Sequence, residues 1–300
     1  MKKDVSLASP KQLAVLLASV GMLLALPAGA TVVDGLSADA QAMAVGGTPG
    51  TDGPNTSSSF TSANANSSSG IFFANGSSFG NAVGPYRASG DGSGKFDSSG
   101  HFIRSWGITN DSGVAQHYAF SFFIYYGSLS ASDNGAGGTG SAGYKASITR
   151  DGTTSLFKSE AEIKSDGTLT TSGTILDGAT QSGSSYFWNG TYVNVDLGIL
   201  NSGQSTSIVY DLVGYAHGDY GTTTDCGYGG YGEVATFAAS VGETQCTGSS
   251  HGSLGDPDQS NNTPIPGIGI TATAVPEPAT LGLLGMGLAA LGFRRRRQRA

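Results

Sequence analysis

The sequence predicts an all-β protein: a single β-sandwich or jelly-roll-like domain, flanked by an N-terminal signal peptide and a C-terminal short transmembrane helix. Three observations predict it. Glycine fills 48 of 300 positions and charged residues only 12%; glycine weakens helix interiors, so this composition favours turns and strands. About seven or eight runs of strand length, rich in aromatic and β-branched residues, are punctuated by turn dipeptides. No repeat of fixed period is present, which argues against a β-helix or propeller.

Taken in order, the first 30 residues form the signal peptide. Lys2, Lys3 and Lys11 make a positive n-region, "LAVLLASVGMLLAL" an apolar h-region, and "PAGA" an A-x-A cleavage site ending at Ala30. Residues 31–70 follow as a flexible Gly/Ser/Asn-rich segment. Its core, "GGTPGTDGPNTSSSFTSANANSSSG" (46–70), has almost no large apolar side chains with which to order itself. The sandwich occupies 71–273. "HFIRSWGITN" (101–110) alternates, with Phe102 and Trp106 on one side. "AQHYAFSFFIYYGSL" (115–129) is aromatic and of strand length. "GYKASITR" and "TSLFKSEAEIKSDG" flank the turn dipeptide Asp151-Gly152. In "STSIVYDLVGYA" (205–216), Ile208, Tyr210 and Leu212 oppose Val209, Asp211 and Val213. "SYFWNGTYVNVDLGIL" and "PGIGITATAV" read as further strands, and "EVATFAASV" (233–241) suits a strand or a short helix. About 200 residues suffice for one two-sheet core.

Between the signal peptide and the tail, 7 basic residues stand against 20 acidic ones, a net charge near −13. Such a surface repels phosphate backbones and excludes a nucleic-acid partner. Cys226 and Cys246 are an even pair in a chain bound for an oxidising compartment, so a disulfide is expected.

Most apparent chemical motifs fail on context. "GSSHG" (248–252) matches a nucleophile elbow around Ser250, but "SLGDPDQSNNTP" follows where a helix is required. "GAGGTG" (135–140) and "GYGGYG" (227–232) match a dinucleotide fingerprint without the helix that would face a pyrophosphate. His101, His117, His217 and His251 lack zinc-ligand spacing. "DPDQSNN" (256–262) offers oxygens for a structural Ca²⁺ but lacks the spaced carboxylates of a calcium loop, so no cofactor is expected. Trp106, Trp188 and Tyr186 suit a core, whereas Tyr228 and Tyr231, set among glycines, are candidate glycan contacts. Glu160, Glu162, Glu233 and Glu243 are the only glutamates between signal peptide and tail. A glycosidase needs two of them facing across a cleft at roughly 5–9 Å.

The tail is the most specific stretch. "VPEPATLGLLGMGLAALGFRRRRQRA" joins Pro276-Glu277-Pro278 to a 15-residue apolar run, 279–293, and a basic end, 294–300. As a helix that run spans roughly 22 Å, short of a hydrocarbon core of about 30 Å. Arg294, Arg295, Arg296, Arg297 and Arg299 orient it with the basic end cytoplasmic. Residues 274–300 resemble the PEP-CTERM sorting signal of Gram-negative bacteria in all three parts and in their order. The resemblance implies recognition of Pro276, Glu277 and Pro278 by an exosortase, a membrane-embedded transpeptidase-like enzyme. It further implies Sec-dependent export, a transient inner-membrane intermediate, and a final place at the cell surface or outside the cell. Proteins of this kind accompany exopolysaccharide and biofilm production. The expectation is therefore a non-enzymatic structural or adhesive surface protein. The alternatives are a carbohydrate-binding module of the same fold and, third, a secreted hydrolase.

Overall fold

The computed structural model describes residues 30–82, 86–224, 245–255 and 269–275, together with Met286. The described residues form strands β1 (Ala30–Ala44), β2 (Gly50–Ser57), β3 (Phe60–Ser69), β4 (Phe72–Asn81), β5 (Tyr86–Ser93), β6 (Lys95–Asn110), β7 (Gln116–Ile124), β8 (Gly127–Ser132), β9 (Gly138–Arg150) and β10 (Thr154–Lys164). They continue with β11 (Leu169–Gly173), β12 (Thr180–Ser182), β13 (Ser185–Trp188), β14 (Thr191–Leu200), β15 (Ser205–Tyr220), β16 (Thr222–Thr223), β17 (Cys246–Thr247), β18 (Ser249–Gly255) and β19 (Gly269–Ala274).

Every ladder is antiparallel. The long sheet has the order β11-β10-β9-β15-β6-β1-β2, and a second seven-stranded sheet the order β12-β13-β8-β18-β5-β4-β3. A small sheet, β14-β7-β19, completes the body, and β16 pairs with β17. The all-β, sandwich-like class therefore holds.

The long sheet meets two different partners along its length. Its central strands β1, β6 and β15 have 15 or 16 residues each and bury alternate side chains. At one end those side chains are large. Phe120 and Phe122 of the small sheet pack on Trp106, Tyr210 and Phe157 with ring centroids 4.6–5.4 Å apart. Tyr86 stacks on Phe102 and meets Tyr210 edge-on. Arg104 lies in this end too: its guanidinium sits 4.7 Å from the Trp106 ring, pairs with Asp34, and donates to the Ala82 carbonyl. Phe102 and Trp106 thus share one buried face, as their alternation predicts, and Ile208, Tyr210 and Leu212 line the same core.

Toward the other end most inward side chains of β1, β3, β4 and β5 are Ala, Ser or Gly, while Phe96, Tyr144 and Tyr220 are the large rings buried there. Ala38, Ala40, Ala42 and Ala44 of β1 face Ala63 and Ala65 of β3 and Ala74 of β4, all buried. Backbones approach closely as a result: facing strands such as β4 and β6 bring Cα atoms within 8 Å, against about 10 Å for ordinary stacked sheets. A Cβ at Gly90 would lie 2.5 Å from the Ser98 carbonyl oxygen, and one at Gly100 would collide with the Ser77 carbonyl. Small hydroxyls satisfy the backbone inside the contact: Ser78 Oγ donates to the Asp39 carbonyl at 2.8 Å, and the Ala44 N–H donates to Ser67 Oγ at 3.0 Å.

This arrangement corrects the expectation for residues 31–70. They are not a flexible segment; they form β1, β2 and β3, with β2 and β3 the edge strands of the two large sheets and β1 paired between β2 and β6. Order there does not require large apolar side chains, because Ala and Ser at alternate positions let two backbones pack directly. The expected signal peptide before Ala30, "EVATFAASV", and the apolar run 279–293 apart from Met286 lie outside the described residues. No helix among the described residues is long and apolar enough to cross a membrane.

Because the Gly100 contact is with backbone, it cannot relax by a rotamer change. Gly100→Ala is expected to destabilise the body by about 2–3 kcal/mol. Gly113→Ala, where the added methyl meets open space, is expected to stay within about 0.5 kcal/mol of the unsubstituted protein. Urea denaturation of the two variants checks the contrast; equal midpoints would contradict close backbone packing.

Candidate functional site

The tail leaves the body from β19. This strand pairs with β7 from Gly269↔Ser121 to Ala274↔Gln116, and the Val275 N–H then donates to the Ala115 carbonyl at 3.0 Å. Pro276 has no N–H to extend the ladder. Pro276, Glu277 and Pro278, with Arg294, Arg295, Arg296, Arg297 and Arg299, lie outside the described residues. The place from which they depart is nevertheless defined.

The two ends of the body sit close together. Ala30 pairs with Asn110, the last residue of β6, and Ala274 pairs with Gln116, the first of β7. Only residues 111–115 separate these positions. Asn110 fastens this turn: its side-chain amide donates to the Val114 and Leu200 carbonyls, and its Oδ1 accepts from Ser112 N–H and Oγ–H. β1 therefore begins, and β19 ends before the sorting motif, at the same end of the long sheet. The opposite end is marked by Asp219↔Lys95 and by Ala44↔Phe96.

The remaining sequence candidates separate clearly. Ser250 of "GSSHG" is buried within β18, where Oγ donates to the His217 carbonyl at 3.0 Å and meets Tyr220 Oη at 2.7 Å; no elbow forms. "GAGGTG" is a turn running into β9, with no helix after it. Trp106, Tyr186 and Trp188 are 6%, 4% and 2% exposed and belong to the core. Glu160 and Glu162 are two residues apart on β10. The first pairs with Lys158 Nζ at 3.0 Å and the second accepts from Tyr215 Oη–H at 3.0 Å. Tyr228, Tyr231, Glu233, Glu243, the "GYGGYG" stretch and "DPDQSNN" lie outside the described residues. So does Cys226, the expected partner of Cys246. Among the described residues no cluster of three or more His, Cys, Asp or Glu is placed to hold a metal ion.

Cross-strand pairing instead sets every histidine beside an aspartate, a pattern the linear sequence hides. His117 Nε2 lies 2.9 Å from Asp196 and His217 Nδ1 2.6 Å from Asp97. His251 is opposite Asp91 in the second sheet; burial pushes this imidazole down and this carboxyl up, against their mutual attraction. On the outer face of the long sheet His101 bridges two strands, with Nδ1 3.0 Å from Asp39 and Nε2 3.2 Å from Asp211. The Asp211 hydrogen bond, helped by both carboxylate charges, raises the His101 pKa although burial opposes it.

A raised folded-state pKa means that protonated His101 stabilises the body below the ordinary histidine value of about 6.5. That contribution is lost as pH rises through the raised value. His101→Gln should therefore cost on the order of 0.5–1 kcal/mol near pH 5.5, after allowance for partial exposure. The cost should shrink toward zero at alkaline pH. Thermal melts of both proteins across this range check it; a pH-independent difference would contradict the bridge.

Comparison with known proteins adds one finding that falls on the tail. The family model for the PEP-CTERM protein-sorting motif matches residues 274–297, beginning at the last residue of β19. No curated protein matches the chain. The chain thus carries, directly after its last described strand, a PEP-CTERM protein-sorting motif, the mark of an exported protein sorted by an exosortase.

Proposed function

We propose that this chain is a structural or adhesive component of the cell surface or extracellular matrix, associated with exopolysaccharide in a biofilm. It crosses the inner membrane by the Sec route, is held there by 279–293, and is freed or transferred when an exosortase acts near Pro276–Pro278. The observation that carries the sorting half of this reading is the motif at 274–297 joined without a spacer to a β-strand of the body. The matrix half is supported by composition and fold: an acidic exported body whose large sheets are closed by small residues, with few charged side chains. Intact-mass measurement of the exported form tests sorting. The expected mass ends near Pro276–Pro278 and starts after Ala30, and the same spectrum reads a Cys226–Cys246 bridge as the loss of two hydrogens. An exported form that keeps its arginine tail would overturn the reading.

A second reading, carbohydrate binding, is favoured by one specific observation. Tyr126 and Tyr192 are 57% and 56% exposed, and Tyr192 lies 4.6 Å from the Phe123 ring on the outer side of the small sheet. Exposed aromatic faces of this kind stack on sugar rings. Pull-down of residues 31–275 on polysaccharide from the same cells should then fall at least fivefold for Tyr126→Ala with Tyr192→Ala. Binding that needs Tyr228 and Tyr231 instead would move the site to the segment between β16 and β17. An absence of binding would leave the structural reading alone.

A further inference from the structure

We propose that β19 is itself part of the exosortase recognition site: the processing enzyme takes this strand as an extended peptide, after it peels from β7. The proposal rests on the sorting reading above and goes beyond it, because it places the recognised peptide inside the folded body rather than in the tail alone.

The first argument is length. Among the described residues Val275 makes the last backbone hydrogen bond, to Ala115, and the apolar run begins at Ala279. Four Cα–Cα steps separate the two, at most about 14 Å when fully extended. The headgroup layer takes roughly 5–8 Å of that span. With β19 in place, the end of the body formed by Asn110, Gln116 and Ala274 is drawn against the bilayer surface. A cleft that encloses the chain near Pro276–Pro278 then has almost no free residues on their N-terminal side.

The second argument is how β19 is held. It is an edge strand of the small sheet among the described residues, paired on one side only. Ile270 and Ala272 are half-buried, whereas Thr271, Thr273 and Ala274 are exposed. Its side-chain bonds, from Thr271 Oγ1 and Thr273 Oγ1 to the Ala119 and His117 carbonyls, are both long at 3.4 Å. On the other side of β7, β14 buries Thr191, Val195, Leu197 and Leu200. Release of β19 therefore leaves β7 paired to β14 and pinned through Phe120 and Phe122 to the long sheet. The body can surrender this strand and keep its core. Its backbone donors and acceptors then become available to a strand-shaped cleft, the main-chain mode by which extended peptides are bound.

The test fixes β19 in place. Ala119 and Thr271 face each other in the ladder, at the spacing of directly opposed residues that a disulfide can bridge. Full-length protein carrying Ala119→Cys with Thr271→Cys is expressed in the native host, and its cross-link is verified by mobility under non-reducing conditions. Loss of the tail is followed by mass and immunoblot. The cross-linked protein should lose its tail at least tenfold more slowly than the unsubstituted protein. Each single-cysteine variant should be processed normally. A six-residue Gly/Ser spacer inserted between Val275 and Pro276 should restore processing of the cross-linked protein, because its backbone then supplies the extended main chain that β19 otherwise provides; this also shows that the cross-linked protein folded and was exported. As an independent arm, Ile270→Ser, which loosens β19 without a cross-link, should process at least as fast as the unsubstituted protein. Unimpeded processing of the cross-linked protein without a spacer, or slowed processing of Ile270→Ser, would overturn the proposal while leaving the sorting reading intact. An unsubstituted protein that keeps its tail in this host would overturn both.

Discussion

The body depends on one constraint: over half the length of the long sheet, two backbones must approach closer than side chains ordinarily permit. Gly90 and Gly100 stand where any Cβ would enter a facing carbonyl, and the alanines of β1 meet the alanines of β3 and β4. Dispersion falls steeply with separation, so a contact of this kind gains its strength from continuity rather than from a few large groups. It also explains the composition. A chain that builds a core from methyl groups and bare backbone needs many small residues, and the serine hydroxyls serve as internal hydrogen-bonding groups for the backbone they touch.

The same constraint divides the molecule in two. Where the sheets cannot come so close, aromatic rings fill the gap, and the small sheet closes over Trp106, Tyr210 and Phe157. That aromatic end is also where β6 turns into β7, where β1 begins and where β19 finishes. The first strand of the described body therefore begins, and its last strand finishes, at the end where the small sheet packs. The antiparallel register places the glycine-rich contact away from these two termini, toward the opposite part of the long sheet.

How much of this was legible in the sequence differs by region, for physical reasons. The aromatic strands were readable because large side chains alternate visibly: Phe102 with Trp106, and Ile208 with Tyr210 and Leu212. The tail was readable because its three parts carry their signal in linear order. Residues 31–70 were misread as flexible, since "SANANSSS" lacks the bulky residues that mark a strand, and only the facing backbone shows why none is needed. The bridge from Asp39 through His101 to Asp211, and the pair of Arg104 with Asp34, depend on register between β1, β6 and β15. Residues 62 to 110 positions apart become neighbours there, and no spacing in a single chain announces that.

The central claim is that a folded body is held at the membrane by a short tail and then separated from it. Pulse-chase labelling combined with limited proteolysis of membrane and external fractions tests it most directly. The account predicts that the membrane-bound, tail-bearing species is already protease-resistant over the β-rich body, and that tail loss follows and coincides with transfer to the external fraction. Tail loss from a protease-sensitive chain, before the body folds, would contradict it.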